Sequence, residues 1–141
     1  MRAAAAAGAG FLLAVLWFDL MFDVQREAGI DSTAAYYHRV TTTARPMNRL
    51  VAAFMVVTLV GLAGELVQGD ANRAVAIASL ILAILAIGLA ATRTVRNAMR
   101  LGEQRDDIAT QRALARSVLR DHIACFVAIG AVVILQVFAA Y

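Results

Sequence analysis

The sequence predicts an all-α fold: a four-helix transmembrane bundle, up-down-up-down, forming a single integral membrane domain over residues 1–141. Three observations predict it. Hydrophobic residues make up 62% of the chain, against roughly 45–50% in soluble domains, which is more apolar surface than one small water-soluble core can bury. These residues gather into four runs, 3–24, 50–67, 74–92 and 123–141, each near the length of about 20 residues that crosses a hydrocarbon core of about 30 Å. The 13 basic residues are all arginine, and most of them lie in or beside the two long connections between runs.

The first run opens Met1-Arg2 and continues through alanines, in the manner of a secretion signal. It then extends past Trp17 and Phe18 to Asp19. No small-x-small cleavage site follows, so it reads as a retained first helix. In the connection that follows, Asp31-Ser32 can cap a short helix through Ala34-Ala35-Tyr36-Tyr37-His38. Those last three residues suit either an interfacial aromatic anchor or a lid, with His38 as an acid–base group near neutral pH. Pro46 fits the first turn of the second membrane helix, where its missing N–H costs little.

Helix phase follows from the small residues, which let backbones approach closely in lipid while large aliphatics face the tails. In the second run the inward series is Arg49, Ala53, Val57, Gly61 and Gly64, with Glu65 near the far end. In the third it is Ala76, Ser79, Ala83, Ala86 and Ala90, continuing to Arg93, Asn97 and Arg100. Before the fourth run Arg112, Arg116 and Arg120 form a basic stripe on a helix that begins near Asp106. Its inward series is Ser117, Asp121, Ala124, Ala128 and Ala131. Arginine retained on the cytoplasmic side sets orientation. Loops 1 and 3 are therefore expected inside and both termini outside, in a cell inner membrane. The alanine and arginine bias fits a GC-rich, bacterial coding sequence.

These phases bring Asp19, Asp23, Arg49, Arg93, Asn97 and Asp121 to one level, with Arg120 and His122 flanking. Arg26 follows Asp19 and Asp23 on the same face of the first helix. Ionisable groups in a membrane helix pair or serve a function. The cluster is either a structural latch or a ligand pocket lined by Trp17, Phe18 and Phe22. As a latch it pairs Asp19 with Arg49, Arg93 or Arg96. No metal and no cofactor are expected: there are only two histidines, and neither a His-x3-His nor a Glu-x2-His pair. One cysteine, Cys125, excludes an intrachain disulfide and dithiol chemistry. The formal net charge of +3 points to anionic lipid rather than nucleic acid. The expected partners are the bilayer, a membrane-protein partner or second copy, and a lipophilic small molecule. The leading functional reading is a non-catalytic subunit or ligand-binding module built around the Asp/Arg cluster. A membrane enzyme acting on a lipophilic phenolic substrate, and a small proton-coupled transporter using Asp19, are the alternatives. No catalytic residue is assigned.

Three stretches carry a likeness to a known family. They are Gly10-Phe11-Leu12-Leu13-Ala14-Val15-Leu16-Trp17-Phe18-Asp19, the Arg45-Pro46-Met47-Asn48-Arg49 start of the second helix, and Arg120-Asp121-His122 before the last. In these, and in its layout, the chain resembles the small four-helix membrane proteins related to anthrone oxygenases. The resemblance implies oxidation of a planar phenolic substrate without a bound metal.

Overall fold

The computed structural model describes residues 1–24, 29–69 and 72–138, with residues 22–24 described by backbone alone. Asp23, Phe22 and Arg26 of the expected cluster thus lie outside the described side chains. All elements among the described residues are helical: α1 (Arg2–Val24), α2 (Ile30–Thr42), α3 (Arg45–Gln68), α4 (Arg73–Leu89), α5 (Val95–Glu103) and α6 (Ile108–Phe138). A π-helical turn, Ala90–Thr94, joins α4 to α5 without a break. Four stretches are long and apolar enough to cross a membrane: Arg2–Met21, Arg45–Gln68, Arg73–Glu103 and Ile108–Phe138.

The long helices close into a ring. α1 packs on α3 and α6, and α4 packs on the same two; the diagonal pairs make no close approach among the described residues. Small residues set the closest contacts. Ala5 of α1 lies against Gly61 of α3, where an added Cβ would sit 2.8 Å from the Ala5 nitrogen. One end of the core then stacks Phe11 on Phe54 at 4.1 Å. The main core joins Ala5, Ala9, Leu12, Leu62, Ala83, Ala86, Cys125, Ile129 and Val132. A second core lies at the other end, where α2 folds over α5 and the start of α6 and buries Ala34, Tyr37, Ala98, Leu101, Ala115 and Val118. Gly102 permits this: a Cβ there would meet the His38 backbone nitrogen at 2.8 Å.

The helix phases divide. On α4, Ala76, Ser79, Ala83 and Ala86 are buried, and Leu85 is 64% exposed. Beyond it the π turn accommodates one extra residue and rotates the following face. Thr94, Ala98 and Leu101 are therefore buried where the sequence series placed Arg93, Asn97 and Arg100. On α6 the buried line is Val118, Asp121, Cys125, Ile129, Val132 and Gln136, while Ala124 is exposed. Large side chains of α6 fill the space left by the alanines of α1 and α4, so the inward series holds for Asp121 but fails at Ala124. On α3 the buried residues are Thr58, Gly61, Leu62 and Glu65, and Arg49, Ala53 and Val57 face outward. Outward placement lets the Arg49 guanidinium reach a polar surface instead of entering the bundle.

Local expectations at the helix ends fare differently. Pro46 does occupy the first turn of α3. Asp31 and Ser32 do not cap α2: Gly29 holds that position, at φ 100°, and Ser32 Oγ donates to its carbonyl at 2.9 Å. The arginines expected in loops 1 and 3 mostly lie on helices, since α2, α3, α5 and α6 run through those segments.

Gly61→Ala and Gly102→Ala should each lower the thermal midpoint of the detergent-purified protein. The Cβ meets backbone in both cases, and overpacking of this kind costs about 1–3 kcal/mol. Gly10 has open space around it, so Gly10→Ala should be neutral or slightly stabilising through helix propensity. Equal midpoints for all three variants would refute the close approach.

Candidate functional site

A row of polar groups, joined by hydrogen bonds, an ionic contact and one ring contact, crosses the α2 end of the bundle. It begins at Asp19, half-buried on α1, whose Oδ1 accepts a hydrogen bond from Tyr36 at 2.6 Å. Tyr36 stands edge-on to Tyr37, with ring centroids 5.1 Å apart. The Tyr37 hydroxyl is 3.4 Å from His122 Nδ1, and both residues are buried. Next to His122 in sequence, Asp121 is 3% exposed and its Oδ2 lies 3.2 Å from Arg93 Nε. The angles of that contact are not those of a hydrogen bond, so it is an ionic contact. Arg93 donates from Nη2 to Ser117 Oγ at 3.0 Å, and Asn97 Nδ2 donates to the same oxygen at 3.2 Å.

The structure therefore brings Asp19, Arg93, Asn97, Asp121 and His122 together, through Tyr36, Tyr37 and Ser117. Arg49 and Arg120 are exposed and outside the line. Arg93 makes its ion pair with Asp121, and Tyr36 donates a hydrogen bond to Asp19. Trp17 and Phe18, expected to line a pocket, are 56% and 62% exposed. They sit on the outside of the ring, with Trp17 beside Phe126 at 6.0 Å. A cleft of about 260 Å³ does lie at this end, bounded by Gly29, Ile30, Arg112, Ala115 and Arg116.

The sequence suits the two tyrosines to an anchor or a lid. Tyr37 is instead 2% exposed and forms part of the second core. The signal for this was the pair Ala34 and Tyr37 on one side of an otherwise polar helix. His38 is also occupied, its Nδ1 lying 3.1 Å from the Gly102 carbonyl oxygen.

The α5–α6 connection is pinned separately. Arg100 clamps Asp106 through two bonds of 2.8 Å. That hydrogen bonding holds the Asp106 carboxyl below the usual carboxylate range. Asp107 caps α6 by accepting from the Thr110 backbone N–H at 3.0 Å, and its carboxyl is lowered by bonding to Thr110. The polar row at the α2 end can hold α1, α2 and α6 in register. Among the described residues no three His, Cys, Asp or Glu side chains gather to hold a metal ion.

Two predictions follow from these contacts. Arg93→Gln should destabilise more than Arg93→Gln combined with Asp121→Asn, because the single change leaves the buried Asp121 carboxylate without its counter-charge. A double-mutant cycle on detergent-purified protein measures this, and additive effects would reject the pairing. For Asp106 the folded value lies below the unfolded value of about 3.9. Its contribution is therefore complete above that pH and is lost as pH falls through the lowered folded value. The midpoint difference between wild type and Asp106→Asn should be constant near neutrality and vanish in acid.

The chain matches no known family model, no curated protein and no solved structure.

Proposed function

We propose that the chain is a multi-pass inner-membrane protein that works as a non-catalytic module, with the polar line at its α2 end acting as a latch. The observation that carries this reading is that the groups a ligand would need are engaged with one another. Asp19 is held by Tyr36, Asp121 by Arg93, and the donors of Arg93 and Asn97 converge on Ser117. Burying charge in a membrane helix costs about 2.5–3.5 kcal/mol on insertion scales, and such mutual engagement offsets much of it. The latch ties α2 to α1, α5 and α6 and fixes which helices are neighbours. In this reading the helices alternate up and down, and the concentration of arginine at the α2 end supports a cytoplasmic position for that end and an outside position for both termini. Exposed Arg39, Arg49, Arg96, Arg112, Arg116 and Arg120 would there face anionic head groups, each worth about 1 kcal/mol near the surface, or an acidic face of a membrane partner.

The buried Tyr37–His122 contact favours one competing reading. A histidine hydrogen-bonded to a phenol can move a proton, as a membrane enzyme acting on a phenolic substrate would require.

Two experiments separate these readings. The purified full chain, extracted and analysed by mass spectrometry, should carry lipids and a protein partner and no stoichiometric phenolic compound. Turnover of an anthrone-type substrate by the chain alone would overturn the latch and promote the enzyme. For topology, a cysteine replacing Thr110 in a Cys125→Ala background should be labelled only after the cells are opened. Labelling from outside intact cells would reverse the orientation.

A further inference from the structure

At the end of the bundle opposite α2, three buried oxygen atoms lack a hydrogen-bond partner. Glu65 on α3 is 3% exposed, and neither Oε1 nor Oε2 has a donor within reach. Gln136 on α6 is 2% exposed; its Nε2 donates to Ser79 Oγ at 3.3 Å, while its Oε1 has no partner. Buried polar atoms are nearly always satisfied, and each exception calls for an explanation. Here two exceptions occupy the same region. α3 and α6 are diagonal across the ring, so side chains buried on both point toward the axis between them. Gln136 is level with Ser79. Glu65 lies three residues before the end of α3, level with the first turn of α4, and so roughly 5 Å along the axis from Ser79.

We propose that Glu65 and Gln136 form an intramembrane site for a dehydrated alkali-metal cation, Na⁺ or K⁺. The proposal rests on the chain lying in a membrane and is independent of the latch. All three orphaned atoms are oxygens, the donor type that suits hard cations. A proton shared between Glu65 and Gln136 would leave one carboxyl oxygen without a partner, whereas a metal ion can engage all three. One carboxylate with a monovalent ion makes a neutral pair, the form an apolar bundle tolerates best; a divalent ion would leave a net charge. The neighbours exclude a larger guest. Ala5, Gly61, Leu62 and Ala76 are the buried residues around this level, and none brings an aromatic ring for an organic cation. Gly61 already lies against the Ala5 backbone.

The test is equilibrium binding of radioactive sodium and rubidium to the purified full chain, with choline chloride holding ionic strength constant. One saturable site per chain is expected. Glu65→Gln should abolish it, and Gln136→Leu should weaken it tenfold or more. Should Glu65→Gln fail to fold, the wild-type thermal midpoint serves instead, because a ligand of the native state raises it with concentration. It should climb with Na⁺ or K⁺ and stay flat in choline. No binding of either ion with identical midpoints in all salts, or undiminished binding by folded Glu65→Gln, would overturn the proposal. Failure here would leave the latch reading untouched, since the two sites lie at opposite ends.

Discussion

A carboxyl group buried between helices must be satisfied by another side chain, since little water reaches it, and this constraint organises the α2 end of the molecule. Asp121 faces inward on α6, and Arg93 reaches it from the π turn. Without that turn, Arg93 would follow the small-residue face of α4 directly into the bundle. The extra residue instead leaves the Arg93 side chain 44% exposed while its Nε still touches a carboxylate that is 3% exposed. The guanidinium thus keeps part of its hydration and the acid keeps its counter-charge. That arrangement is cheaper than full burial of both, whose desolvation can exceed the Coulombic gain.

The same turn explains what could be read from the sequence and what could not. The four spans were legible because length and hydropathy alone decide them. The α4 face was legible because Ala76, Ser79, Ala83 and Ala86 contrast sharply with the Leu and Ile between them. α6 lacks that contrast. Its alanines and its large residues both recur at helical spacing, and only the partner decides which set goes inside. The partners are the alanine faces of α1 and α4, so Ile129 and Val132 pack inward and Ala124 does not. On α3 the inward residues include Thr58 and Glu65, polar types that a small-residue rule passes over. Thr58 is buried without penalty because its hydroxyl donates to the Phe54 carbonyl at 2.7 Å.

The candidate site was half legible for a related reason. Asp19, Arg93, Asn97, Asp121 and His122 stand out as polar residues at the ends of apolar runs. Tyr36, Tyr37 and the role of Ser117 do not, because they depend on α2 folding back over α5. That fold-back depends on Gly102, whose lack of a side chain admits the backbone of His38. Gln136 was equally visible as a lone amide in the last span. Its meaning emerged only when Glu65 proved to be buried at the same end.

The two ends of the bundle therefore solve the problem of buried polarity in opposite ways. At the α2 end two carboxylates, a guanidinium, an imidazole, an amide and three hydroxyl groups engage one another, with donors and acceptors both present, although Thr33 Oγ1 there is buried without a hydrogen-bond partner. At the other end the orphaned atoms are all acceptors, and Gln136 Nε2 donates to Ser79. A set with mixed donors and acceptors can close on itself, as a latch does. In the arrangement observed, no hydrogen lies between Glu65 and Gln136 Oε1, and a cation would satisfy all three oxygens together. That difference in composition, rather than the depth or number of the charged groups, is the physical reason for assigning a structural role to one end and a binding role to the other.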